Sequence, residues 1–587
     1  MIQWECGGFW KERLDALKKQ WLLPAPFANP QMLEMFSDRD QPPYRKLWPW
    51  QGEFAGKYLT SLVWFRRLTG DMEVEKHAAW FVRELLSRQA ANGYLGCFPT
   101  GYELTNRAPN VGGPTWDTWS HYHIMYALIQ YYELTGNDGA LAAACRIADL
   151  MLSIYGGSAS PKLVETGGAF SNQAPAHAVL QLHRITGKPE YLEFGRQLIA
   201  EFSTDGPEGN LGGDFLNAGL HGIPFHQTAL PRWESLHAIM ALAEYHRITG
   251  EQKYLDAFAF LWRGIRDGDR HNTGGFSSGE QANGNPYLPG AIESCCTIAW
   301  MELSTEMLLL SGDPTVADEL EWSLLNSVLG MHSPSGRWAT YNTPSDGVRR
   351  AAIDEIVFQA RPGSPELNCC SVNSPKGYGI LHRWAAVPVD GGWRINFYGP
   401  GSWRLEEGIK LEIASDYPAS PAWLATLRLA PGASPVKLSF RIPAWSKKTL
   451  FAVNGRPEDV VPGTYHTPAR EWYDGDVIEI AFDFTLRVWR GERECAGKIS
   501  IYRGPVLLAA DQRYNRHLAK IQRIEGGFEV PPLGNWKPGK AVGWAQWLPP
   551  AQLWEIVTGD GEIVNLCDFA SAGQTGSPYV SWLPEIS

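Results

Sequence analysis

The chain has 587 residues, of which 44% are hydrophobic and 20% charged, the balance of an ordinary folded protein. That length exceeds one simple core, so two or more domains are expected. A net charge of −11 argues against a polyphosphate-binding surface, and no apolar run reaches the roughly 18 residues of a membrane span.

The first segment, "FWKERLDALKKQW", reads as a helix, and no apolar leader with a cleavage site precedes it. This points to the cytoplasm, or to a periplasmic or secreted protein whose leader has been removed. One phrase then recurs: "RRLTGD", "YELTGN", "HRITGK", "HRITGE" and "LLSGDP", with turn glycines at Gly70, Gly136, Gly187, Gly250 and Gly312. Each phrase closes an apolar helical run and opens another. Glycine suits the left-handed position after a helix, and the polar residue beyond it suits the next helix start. Five αα-hairpins follow. "SPKGYGILHRWAAV" supplies a sixth inner helix, partnered by the amino-terminal helix. The prediction is an (α/α)6 toroid over residues 1–384. Beyond it, short alternating segments such as "IKLEIASDY", "VKLSFRIPAW" and "DVIEIAFDF" predict an antiparallel β-sandwich over 385–512, for an overall class of mainly α plus β. Residues 513–587 read as an irregular segment packing on either domain.

The turn glycines also serve as a ruler. His123 and His237 each stand 13 residues before their glycine, His177 stands 10 before, and Asp117 and Glu293 each stand 19 before. In a ring of parallel inner helices these positions meet at one rim. His183 and His246, inside the repeat phrase, belong to the far end and read as structural. Nine cysteines do not suggest a disulfide framework, yet four are paired: Cys295–Cys296 and Cys369–Cys370. "AIESCC" follows Pro289–Gly290, so Glu293 and Cys295 lie where the chain is not yet helical and both can face one point. Glu-x-Cys plus Cys-Cys supplies one carboxylate and three thiolates, a plausible tetrahedral set for Zn2+. Buried cysteines without a metal are the plain alternative. The 26 Trp and 22 Tyr suit the apolar faces of sugar rings, although large cores use them too.

The sequence resembles the β-L-arabinofuranosidases of glycoside hydrolase family 127, through "GGFWKERLDAL", "NGYLG", Glu-x-Cys, Cys-Cys, "RIPAW", "VNG", "REWYDGDVIEI" and "YRGPVLLA". The resemblance implies a retaining enzyme that releases a pentofuranose from plant-type glycans. Glu293, Cys295, Cys369 and Cys370 would hold zinc, Cys369 would be the nucleophile, and Glu280 in "GGFSSGEQ" would be the acid/base. It further implies that His123, His177, His237, Glu321 and Tyr341 contact the sugar. The chain departs from the family in having "CCSVN" in place of a Pro-containing stretch, the additional thiol Cys296, and a shorter interval between Glu280 and Glu293. Its carboxy-terminal region looks too short for a full second sandwich. The partner implied is a carbohydrate, with no nucleic acid or membrane, and a homodimer is compatible. The alternatives are another (α/α)6 sugar enzyme, an epimerase or unsaturated uronyl hydrolase, and a non-catalytic carbohydrate-binding protein with structural zinc.

Overall fold

A computed structural model describes residues 2–105, 107–166, 173–206, 209–290, 292–355, 364–432, 436–521, 536–540 and 550–585. The five repeat phrases are five helix-to-helix turns. The inner helices Glu53–Thr69, Asp117–Thr135, Pro175–Thr186, Ser235–Thr249 and Ser294–Ser311 each end on their glycine, at φ between 63° and 72°. Asp71, Asn137 and Asp313 then cap the following outer helices through their side chains, satisfying amide groups that have no partner inside the helix. Inner helices are buried on nearly every face, whereas an outer helix such as Met72–Leu86 buries one stripe.

Each inner helix packs on the next, and the helical segment from Cys369 to Trp384 closes the ring between the fifth and the first. At one of these contacts a Cβ on Gly56 would stand 2.4 Å from the main-chain carbon of His123, so only glycine permits the approach. The amino-terminal helix Gly8–Leu17 lies beside the sixth inner segment, with Trp10 on Tyr378 at 6.5 Å. The toroid is therefore the observed fold.

Its glycine end carries a belt of ion pairs with a member from every inner helix. Arg67 and Arg184 each reach Glu133 at 3.4 Å, and Arg184 reaches Glu244 at 2.7 Å. Arg247 bridges Glu244 and Glu306, and Arg383 pairs with Glu306 at 2.7 Å. His183 and His246 sit at this end in matching roles, each ring nitrogen on the carbonyl of the next helix start.

The sandwich joins a seven-stranded antiparallel sheet to a four-stranded one that contains one parallel pair, Gly392–Ile395 with Lys437–Ile442. Strand Gln3–Cys6 leaves the helical domain to pair with Gly401–Glu406. The carboxy-terminal expectation needs correction. A separate eight-stranded sheet begins at Leu486, inside the span assigned to the sandwich, and draws Leu553–Val557 and Ile563–Asp568 from the segment expected to be irregular. These two strands pair with each other as a hairpin, but its place in the sheet comes from Ile563–Asp568 pairing with the distant Val506–Asp511, a contact that leaves no local signature. Residues 522–535 and 541–549 of that segment lie outside the described residues. Among the described residues, no helix is long and apolar enough to cross a membrane.

Candidate active site

Two helix starts bring the thiols together. Glu293 is the extended residue before the fifth inner helix (ψ 142°), so its carboxylate and the Cys295 thiol converge instead of splaying. Its main chain is fixed by a bridge to Asn342 and by Ser294 N–H donating to the Tyr341 carbonyl at 2.8 Å. Cys369 and Cys370 open a short helix capped by Asn368, whose side chain accepts from the amides of Cys370 and Ser371. Adjacent cysteines in the first turn of a helix thus point to one place, with sulfurs 3.9 Å apart.

The four donor atoms all lie within 4.8 Å of one another. Cys295 Sγ is 3.7 Å from Cys370 Sγ, and Cys370 Sγ donates to Glu293 Oε1 at 3.3 Å. A tetrahedral zinc with sulfur ligands at about 2.3 Å requires sulfur–sulfur edges of about 3.8 Å. The observed edges of 3.7 and 3.9 Å match, so the donor set fits such an ion. Cys296, the additional thiol, donates to the other Glu293 oxygen at 3.4 Å.

The electrostatics point the same way. Burial, then the Cys295 charge, pushes the Glu293 carboxyl well above the usual carboxylate range. Cys369 is pushed up by its hydrogen bond to Cys295, and Cys370 by burial and then by Cys295. Burial also opposes ionisation of Cys295, but hydrogen bonds from Cys369 and Cys370 and the nearby Lys57 charge outweigh it and take that thiol well down. Crowded acids of this kind retain protons unless a cation displaces them. Lys57 is itself fully buried, paired with Glu53 at 2.9 Å, and it stays protonated because Glu53, Cys295 and Cys369 outweigh its desolvation.

Beside the cluster opens a cavity of about 310 Å³. Glu53, Trp233, Glu234, Glu293 and Cys369 form its buried floor, and half-buried Trp50, Trp116, Arg232, Glu280 and Tyr341 form its mouth. Glu280 sits on a strained turn in which Ser277, Gly279 and Glu280 all take left-handed φ, at 71°, 69° and 66°. Both of its oxygens are held: Oε1 accepts from the Tyr341 hydroxyl, and Oε2 pairs with Arg232 Nη2 at 2.6 Å. The same Arg232 nitrogen reaches Glu234 Oε1 at 3.0 Å. Burial pushes Glu234 up to about 7 despite that arginine.

The structure therefore brings together Glu280, Glu293, Cys295, Tyr341, Cys369 and Cys370. The three histidines also meet, but none of them lines the cavity. His123 and His237 pack 5.4 Å apart against Trp119, and the Tyr122 hydroxyl spans the Nδ1 atoms of His177 and His237 at 3.2 and 3.0 Å. Burial holds His123 and His237 well below the usual imidazole range, and His177 at about 4, so all three are neutral at ordinary pH. Asp117 accepts from Tyr94 and from the Leu104 amide, anchoring a loop. Glu321 does not reach the cavity either. It is fully buried between Arg441 at 2.8 Å and Tyr417, where the sandwich meets the toroid.

The sequence reading passed over Glu53, Trp119 and Trp233. Each stands 17 residues before its turn glycine (Gly70, Gly136 and Gly250), the height at which Cys295 precedes Gly312. The ruler could have found them. Glu234, the residue just before the inner helix Ser235–Thr249, falls within the ruler's reach too, whereas Arg232, placed by a loop, left no such signal.

Residues 5–377 match the β-L-arabinofuranosidase GH127 catalytic domain, and residues 392–484 match the GH127 middle domain. A non-reducing end β-L-arabinofuranosidase of Bifidobacterium longum subsp. longum is 25% identical over 430 residues, which are 66% of this chain and 64% of that protein. A GH127 β-L-arabinofuranosidase from Geobacillus stearothermophilus T6 covers the whole of both chains, with TM-score 0.76 and 18% identity. A second solved GH127 β-arabinofuranosidase superposes with TM-score 0.79 and 19% identity, over all of this chain and 96% of its own. The class to which this fold and this matched catalytic domain belong is the glycoside hydrolases. Within that class, the chain belongs to the GH127 family of β-L-arabinofuranosidases.

Proposed function

We propose that the chain is a retaining exo-glycoside hydrolase that releases a terminal β-L-arabinofuranose from plant-type glycans. One observation carries the reading. Of the four cluster residues, Cys369 is the most exposed, at 8% against 2% or less for the others, and it faces the cavity that Glu280 also lines. The thiol proposed as nucleophile and the carboxyl proposed as proton carrier line one small chamber.

Glu293, Cys295, Cys369 and Cys370 would hold the zinc, whose contribution is to keep the thiols ionised. Cys369 Sγ attacks the anomeric carbon, forming a C–S bond as the glycosidic C–O bond breaks. Protonated Glu280 delivers its proton to the departing oxygen. In the second half, the Glu280 carboxylate takes a proton from water, whose oxygen attacks the same carbon and releases the sulfur. Two displacements return the original configuration. Tyr341 and Arg232 keep the Glu280 carboxyl aimed, and Glu53 and Glu234 on the floor accept hydrogen bonds from sugar hydroxyls. A cavity of about 310 Å³ lies at the small end of ligand sites and suits one terminal sugar. The histidines support the floor through Trp119, and Glu321 clamps the sandwich to the toroid. The name of the Bifidobacterium relative, with its non-reducing end specificity, supports both the sugar and the exo action.

The test is proton NMR of the protein with an aryl β-L-arabinofuranoside. Release of the β-anomer before mutarotation is the expected result. First appearance of the α-anomer sinks the cysteine mechanism, and absence of hydrolysis sinks the substrate assignment.

A further inference from the structure

A terminal sugar on this floor leaves the rest of its glycan outside, and the side chains at the mouth show what waits there. Trp50 and Trp116 line the mouth with ring centroids 5.2 Å apart. Trp48 continues the row, stacked on Trp50 at 5.6 Å with planes 24° apart, and it is 48% exposed. The backbone beneath is rigidly tied. Leu47 N–H donates to the Asn110 carbonyl at 3.2 Å, Trp48 N–H to Gln51 Oε1 at 3.1 Å, and Trp116 N–H to the Pro49 carbonyl at 2.9 Å. Two loops are thereby tied together with three indoles in successive contact, Trp116 and Trp50 at the chamber and Trp48 beyond them, half-exposed. The core does not require a half-exposed tryptophan at its end.

We infer that Trp48, Trp50 and Trp116 form a docking platform for the leaving-group side of the substrate, and that its ligand is a neutral glycosyl chain. The apolar C–H face of a sugar packs on the electron-rich face of an indole, none of the three side chains carries a charge to recognise a uronate or phosphate, and the cation at the mouth, Arg232, is already paired with Glu234 and Glu280. The row's continuity with the cavity makes this the path the glycan takes outward. The inference rests on the glycosidase reading, because it takes the chamber to hold the terminal sugar.

The experiment compares wild type and Trp48→Ala on methyl β-L-arabinofuranoside, which has no leaving-group sugar, and on a neutral arabinofuranosyl trisaccharide. The ratio of kcat/KM for the trisaccharide to that for the methyl glycoside should fall roughly tenfold in the variant. An unchanged ratio, including an equal loss on both substrates, overturns the platform. Calorimetric titration of the same trisaccharide separates the two readings. If wild type hydrolyses neither compound, the glycosidase reading fails, whereas the platform stands only if the trisaccharide still binds and binds more weakly to Trp48→Ala. Equal binding, or none, overturns it.

Discussion

The two ends of the toroid are built from the same inner helices and treat charge in opposite ways. At the glycine end every inner helix contributes to a belt in which carboxylates and guanidiniums alternate. Burial raises the Glu306 carboxyl, but Arg383 and Arg247 outweigh it and hold that group far below the usual range. At the other end acids outnumber cations. Glu53, Glu234 and Glu293 are all pushed up, with burial the largest cause in each. Alternating charge makes a joint that stays ionised and inert. Excess acid makes a site that gains from a cation and trades protons near neutrality.

Substitutions at the two ends should therefore fail in different ways. The largest effect is expected for Cys369→Ser, which removes the nucleophile and one of the four zinc donors: kcat/KM on an aryl arabinofuranoside should fall by about 10⁴-fold, with zinc content per chain measured alongside to separate the two losses. A fall below about tenfold would remove Cys369 from the chemistry. Glu280→Gln should cost about 10³-fold on poor leaving groups, and much of that should return with a leaving group that needs no proton. Equal losses on both substrates would argue against an acid role.

At the belt, Glu306→Gln leaves two arginines short of a partner, and a chemical denaturation midpoint should report about 3 kcal/mol of lost stability with kcat nearly intact. Because the folded pKa of Glu306 lies below its unfolded value, the wild-type advantage is whole above about pH 4.3 and is lost as the pH falls beneath it. A stability gap independent of pH would show that the belt works through packing instead. The smallest effect is expected for Tyr341→Phe, which frees one oxygen of Glu280: kcat should fall about tenfold with KM near wild type. A change confined to KM would move Tyr341 from positioning the acid to binding the sugar.

Much of this contrast was legible along the chain. The belt arginines Arg67, Arg184 and Arg247 each stand three residues before their turn glycine, so the repeat phrase encodes the joint as well as the turn. Glu293 and Cys295 could be placed on one point because a helix start is a local event. The partners of Glu280 could not be read. Arg232 and Tyr341 reach it from loops 48 and 61 residues away, and a loop has no period to count. Glu321 shows the reverse error, since its helix is easily read but its partner Arg441 comes from the sandwich.

By itself, the sequence determined the toroid, its turns and two local pairs, Glu293 with Cys295 and Cys369 with Cys370. Each of these rests on residues within a helical turn of one another: a left-handed glycine, a cap, an extended residue before a helix. Only the tertiary structure decided that the two pairs meet in one cluster, which acids face the cavity, that the histidines stand behind Trp119, and that strand 563–568 joins a further sheet by pairing with Val506–Asp511. Those outcomes depend on contacts between distant segments, whose register is set by packing as the chain closes rather than by any stretch read alone.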